Sequence, residues 1–254
     1  MATAHAPETL SRPSIDPVEV EKFSRIAAEW WDPESKFKPL HKFNPVRLGY
    51  IRDVICAHFG LSGETPFKGL RMLDIGCGGG LVCEPMARLG ASITGVDAAE
   101  ANVKTASVHA AEQGLEIDYR HGVAEQLLES GEEPFDVVLN LEVMEHVANP
   151  HTFLADCAHL VKPGGLMICA TINRTSKAFA MAIVGAEWVM GWLPRGTHRF
   201  GKLVKPGEIR AALREGGMTL REPVGVGYNP LTDQFSLNQD VSVNYMVVAD
   251  KPAG

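Results

Sequence analysis

Two stretches of this chain carry residue types that could do chemistry together. The first reads Leu70-Arg71-Met72-Leu73-Asp74-Ile75-Gly76-Cys77-Gly78-Gly79-Gly80. An apolar strand meets an acid and then a glycine-rich turn, where the missing Cβ lets backbone approach a ligand closely. A second apolar run, Ile93-Thr94-Gly95-Val96, ends in Asp97, 21 residues after Gly76. A carboxylate there can hold two ribose hydroxyls. The other stretch, Leu141-Glu142-Val143-Met144-Glu145-His146-Val147, puts two carboxylates and an imidazole within five residues. Glu142 and His146 are four apart, so a helical turn would bring them to one face, with Glu145 beside both. Oxygen and imidazole donors suit Mg²⁺, Mn²⁺ or Zn²⁺. His146 could equally act as a general base, or pack under a ligand while Glu145 caps.

The glycine turn discriminates between ligands. Counted from Gly76 it reads G-C-G-G-G-L, so Leu81 breaks the dinucleotide fingerprint G-x-G-x-x-G. Asp74 at the mouth of the turn would repel a pyrophosphate and suits a ligand carrying positive charge. Both observations argue against a nicotinamide oxidoreductase.

These residues need elements that bring them together. From Leu70 onward strands and helices alternate. Strands are expected over 71–75, 92–96, 117–120, 135–140 and 166–170, and helices over 81–89, 99–113 and near 150–160. Such alternation predicts an α/β fold, a parallel sheet with helices on both faces. Ligands of such sheets bind at the carboxyl ends of strands, where the strand order switches. Gly76, Asp97 and Leu141 all fall at such ends. Before the sheet, Asp16-Pro17-Val18-Glu19 reads as a helix start, continuing through Phe23 to Trp30-Trp31. A loop is expected over 32–41 and a second helix near 44–58. After it, Lys205-Pro206-Gly207-Glu208 begins another helix, and Tyr245-Met246-Val247-Val248-Ala249 is the expected closing strand.

Composition narrows the class further. The 254 residues predict one domain over 16–254, with a helical cap at 16–60 and an inserted apolar segment at 174–202. Residues 1–15 read as a disordered tail. The net charge of −7 argues against a nucleic-acid partner. Five scattered cysteines contain no C-x-x-C, so neither a disulfide framework nor a zinc knuckle is expected. A reducing, cytoplasmic setting fits. No signal peptide and no membrane-spanning run are visible.

The spacing D-x-G-x-G-x-G from Asp74 to Gly80 resembles motif I of the class I S-adenosylmethionine (SAM)-dependent methyltransferases. The resemblance sharpens when more of the chain is included. Phe37-Lys38-Pro39-Leu40-His41, Asn44-Pro45-Val46-Arg47-Leu48-Gly49-Tyr50, Glu142-Val143-Met144-Glu145-His146-Val147, Val184-Gly185-Ala186-Glu187, Tyr228-Asn229-Pro230 and Val243-Asn244-Tyr245-Met246 occur in order. Together they are similar to the bacterial ubiquinone-biosynthesis O-methyltransferases, relatives of the mitochondrial coenzyme Q enzyme, over roughly residues 16–250.

The resemblance implies a Rossmann-like fold with a mostly parallel, seven-stranded sheet and N-terminal helices. It implies SAM contacted at Arg47, Gly76, Asp97 and Leu141, to which the loop reading adds Asp74 and Gly78. Leu141 stands where a bacterial relative has Met, which leaves it packing or a backbone contact. The activity implied is two O-methylations of a polyprenylated ring, one on a catechol and one on a hydroxyquinol. Metal dependence of the mitochondrial relatives implies a divalent cation at Glu142, Glu145 and His146. The competing readings are a SAM-dependent methyltransferase on another small or quinone-like acceptor and a SAM-binding regulator without catalysis. The Glu-x-x-Glu-His cluster argues against the regulator.

One further stretch, residues 176–193, is apolar, too short to span a bilayer and interrupted by Glu187. Trp188 and Trp192 suit a headgroup interface, and Lys177, Arg195, His198, Arg199 and Lys202 flank it. Peripheral contact with anionic membrane at the inner face of the plasma membrane is one expectation. A buried helix or a lid over the substrate is the other. Other quinone-biosynthesis enzymes are the expected protein partners.

Overall fold

The computed structural model describes residues 14–181 and 199–254. Asp16 caps helix α1 (Pro17–Arg25), its carboxylate accepting from Val18 N at 3.1 Å, with Pro17 in the first turn. Such a start supplies an acceptor for an otherwise unpaired N–H. The helix stops at Arg25, and a short 3₁₀ turn, Ala27–Glu29, carries the chain to Trp30. Ser14, assigned to the tail on sequence, is buried, with its N–H and hydroxyl on Glu125.

Helix α2 (Lys38–Phe59) starts six residues before the expected position. Pro39 sits in its first turn, where the missing N–H costs nothing, so the segment read as loop is the helix start. Pro45 lies inside the same helix and does not end it.

The sheet then builds as expected. Strand β1 (Arg71–Ile75) leads into α3 (Cys83–Arg88), β2 (Ser92–Asp97) into α4 (Glu100–Glu112), and β3 (Asp118–His121) into α5 (Ala124–Glu129). Strand β4 (Phe135–Leu141) precedes α6 (Pro150–His159), and β5 (Val161–Ile172) precedes the single turn α7 (Ser176–Ala178). After α8 (Pro206–Glu215) come β6 (Thr219–Leu220), β7 (Val224–Asn229), β8 (Gln234–Asn238) and β9 (Asn244–Asp250). The order is β3-β2-β1-β4-β5-β9-β7-β8, with β6 on β9. The sheet has nine strands instead of the expected seven. The first five in space are parallel. β9 is antiparallel to β5 and lies between β5 and β7, an inner strand.

Both sheet faces are covered, so strand residues are buried alternately in two cores. Leu73, Ile75 and Val138 face one core with Leu127, Phe153 and Leu213. Met72, Val137 and Leu139 face the other with Ile51, Ile55 and Met86. Strands buried on both sides read as continuous apolar runs, which is why the sequence located them well. All five cysteines are free. No helix among the described residues is long and apolar enough to cross a membrane. Residues 182–198, which include Trp188, Trp192 and Arg195, lie outside the described residues.

Candidate functional site

β2 and β4 flank β1 on opposite sides, so the strand order switches at β1, and its carboxyl end opens into a crevice. The glycine turn starts there. Gly76 N–H and Cys77 N–H both donate to Val96 O, at 2.7 and 3.1 Å, pinning the turn to β2. Gly76 (φ 74°) and Gly78 (φ 54°) lie in the left-handed region, open to glycine at little cost. A Cβ on Gly76 would strike Val143, and one on Gly78 would strike the Trp30 ring.

Asp97 closes β2 and is buried. Its Oδ2 accepts Gly78 N–H at 2.9 Å, and Oδ1 accepts Ala99 N–H at 2.8 Å and the Asn102 amide at 3.1 Å. A carboxylate has about four acceptor positions, so three protein donors leave room for a ligand hydroxyl. Burial raises the Asp97 pKa, opposed by the Ala99 and Gly78 N–H bonds. Asn102 Oδ1 in turn accepts the Trp30 indole N–H at 2.9 Å, and the Trp31 indole N–H bonds Gly79 O at 2.9 Å. Two adjacent tryptophans thus fasten the N-terminal cap to the glycine turn.

Charge is arranged at the other side of the turn. Asp74 is buried, and burial pushes its carboxyl up to about 7, partly offset by the Cys83 thiol at 3.3 Å and by Arg47. Arg47, buried on α2, is held by Asn44 Oδ1 (Nη2 at 2.6 Å) over the Phe43 ring. A ligand with an ammonium for Asp74 and a carboxylate for Arg47 would fit here, as an amino-acid tail does.

Stability and affinity respond to pH with opposite signs at Asp74. A carboxyl whose folded pKa exceeds its unfolded value stabilises the fold below the unfolded pKa, and that contribution is lost as pH rises through the folded value. Affinity for a cationic tail runs the opposite way. Affinity for such a ligand should increase as pH rises through about 7. It should fall again when the ligand's own α-amine deprotonates near ~8. Titration calorimetry against pH measures this. Asp74→Asn should remove the acid limb, and an acid limb that survives the substitution would assign it elsewhere.

The acid and imidazole residues come directly after β4, but they do not form a helical turn. Glu142 has φ 58°, sparsely populated by residues with a side chain, and its N–H bonds Ala170 O. This left-handed kink breaks the i, i+4 relation expected on sequence. Glu145 is buried, and its Oε2 accepts the Thr171 hydroxyl at 2.8 Å. Burial, then the neighbouring Glu142 charge, pushes Glu145 up to about 8. Burial raises Glu142 too, opposed by Arg47.

His146 Nδ1 meets Glu19 Oε2 of α1 at 2.9 Å. Burial works to raise the Glu19 carboxyl, but His146 and Lys22 outweigh it and hold it at about 2. The cation expected at Glu142, Glu145 and His146 finds no support in this arrangement. One imidazole nitrogen is paired with Glu19, and one Glu145 oxygen with Thr171. No group of three or more His, Cys, Asp or Glu among the described residues is placed to hold a metal ion.

A cavity of about 340 Å³ joins these parts. Arg47, Asp74, Gly76, Gly78, Asp97, Leu141, Glu142, Glu145 and His146 all line it. Phe23, Leu40, Val147 and Phe153 give it an apolar side next to His146. Sequence reasoning missed Glu19, Asn102 and Asn244, which also line it. Asn102 had a local signal, five residues past Asp97 at the start of a helix. Glu19 had none, because its partner is 127 residues away.

The strand order, the reversed ninth strand and the glycine turn beside strand-end acids define a Rossmann-like class I methyltransferase. The methyltransferase domain family matches residues 49–222. The ubiquinone biosynthesis O-methyltransferase of Maricaulis maris (strain MCS10) is 85% identical over 254 residues, 100% of both chains. That of Parvibaculum lavamentivorans is 60% identical over 243 residues, 95% of this chain and 96% of the relative. The chain belongs to the family of ubiquinone biosynthesis O-methyltransferases. Solved structures confirm the fold. A SAM-dependent methyltransferase from Clostridium acetobutylicum superposes with a TM-score of 0.60 at 14% identity, covering 92% of this chain and 99% of that one. Magnesium protoporphyrin IX methyltransferase from Synechocystis with bound SAH gives 0.55 at 21% identity, covering 81% and 85%.

Proposed function

We propose that this chain transfers the methyl group of SAM to phenolic oxygens of polyprenylated catechol and hydroxyquinol rings, at two steps of ubiquinone biosynthesis. One observation carries the reading: the glycine turn with its two acids and the His146–Glu19 pair open into the same cavity. Asp97 and the Gly78 backbone would hold the nucleoside, Asp74 and Arg47 the amino-acid tail. The sulfonium supplies an already activated methyl group. What remains for the protein is alignment and removal of a proton. A phenol has pKa ~10 and is a poor nucleophile at neutral pH. His146 takes that proton, and Glu19 holds the imidazole in place as the carboxylate of a catalytic dyad does.

The site is proposed to work from the cytoplasm against the membrane that holds the substrate. Phe179, Met181 and Phe200, at the two ends of the undescribed segment, are 45%, 45% and 41% exposed. Lys177, Arg174 and Lys202 nearby are paired with Asp240, Glu208 and Asp16, so the apolar residues carry more of this contact than the sequence reading gave them.

Labelled SAM with a short-tail catechol, supplied in detergent or in anionic vesicles, with and without EDTA, tests these statements. The expected product carries the methyl on oxygen, and chelation leaves turnover unchanged. Methyl on ring carbon would overturn the reaction assigned. Activity lost in EDTA and restored by Mg²⁺ would overturn His146 as base. Vesicle-borne substrate should turn over faster than detergent-borne substrate, and no difference would overturn the membrane contact.

A further inference from the structure

The last strand runs against its neighbour. β9 is antiparallel to β5, so its first residue reaches the sheet edge at which β1, β2 and β4 end. That residue is Asn244, opposite Ile172 of β5 and Val226 of β7, and it lines the cavity. Its Oδ1 is buried and has no hydrogen-bond partner. The amide lies beside Glu142, and with Nδ2 donating to that carboxylate Oδ1 is the end without a donor. Glu142 Oε1 and Glu145 Oε1 also lack a partner, but a proton held by the acid pair can satisfy those two. Asn244 Oδ1 has no such internal source. A buried acceptor without a donor is costly, and Asn244 sits at the end of the cavity next to the acids.

Resting on the reading of the acceptor as a catechol or hydroxyquinol, we propose that Asn244 Oδ1 accepts the hydroxyl next to the one being methylated. Asn244 would then select rings bearing two adjacent hydroxyls over monophenols. It would also turn the reacting oxygen toward His146. A site built to accept a substrate hydroxyl rejects an analogue lacking it, because the protein group is left unpaired.

The test compares a short-tail catechol with the matching monophenol. The wild type should favour the catechol in kcat/KM. Asn244→Leu, similar in size without the acceptor, should lower the catechol-over-monophenol ratio about 10–100-fold. SAH affinity by calorimetry reports whether each variant is folded, and Asn244→Ala gives the same ratio if the leucine variant is not. An unchanged ratio, or equal losses on both rings, would overturn the proposal. A wild type that methylates both rings equally would overturn it while leaving O-methylation intact. A wild type that methylates neither ring would instead sink O-methylation of such rings as the function.

Discussion

His146→Ala is expected to lower kcat by about 10²–10⁴-fold, the range for a positioned proton acceptor, with SAM affinity unchanged. The imidazole is not part of the cofactor half of the cavity. Its Nδ1 is 2.9 Å from Glu19 Oε2 and its ring meets Phe23 edge-on at 5.0 Å. Glu19→Gln keeps the shape but removes the charge that orients the ring, so a smaller loss in kcat is expected. The pair of variants separates chemistry from folding, because both should bind SAH as the wild type does. Full turnover by His146→Ala would place the proton acceptor elsewhere in the cavity.

The second large effect is expected at Asp97. Asp97→Ala should weaken SAM binding by roughly 1–3 kcal/mol, the range for hydrogen bonds to a charged group, or about 5–150-fold. It should also lower the melting temperature of the ligand-free protein, because Gly78 N–H, Ala99 N–H and the Asn102 amide all lose their acceptor. Calorimetry and thermal melting read the two effects separately. A variant with intact fold and unchanged affinity would show that Asp97 organises the turn without touching the ribose.

The sheet was legible where local pattern and burial agree. β1 has the expected bounds, and β2, β4, α4 and α6 deviate by a residue or two at an end. Asp16 caps α1 as read. The failures have separate physical causes. Pro39 marks a helix start that looks like a loop when the apolar face beyond it is irregular. β5 starts at Val161, five residues before the strand expected from 166, because the turn-prone residues Pro163, Gly164 and Gly165 lie within it. β7 and β8 contain glycine and polar residues and hide their pairing. At the site, Asp74, Gly76, Gly78 and Asp97 were legible because one βαβ unit places them all. Glu142, Glu145 and His146 line the cavity, but not on the helical turn their spacing suggests. A single positive φ at Glu142 redirects the backbone through Glu145, and His146 finds a partner that only tertiary structure supplies.

The N-terminal cap also sets the smallest piece of chain that can be moved or trimmed. The family match spans residues 49–222, and a fragment cut there would keep the glycine turn and both strand-end acids. It would lose Glu19, Trp30 and Arg47 at one end. At the other it would lose Asn244 and all of β9, whose Val247 and Val248 fill opposite cores. β7 and β8 would go with it, so β5 would be left with an unpaired edge and β6 without the strand it pairs with. A swap of substrate preference between relatives therefore has to carry both ends of the chain together, although some 200 residues separate them.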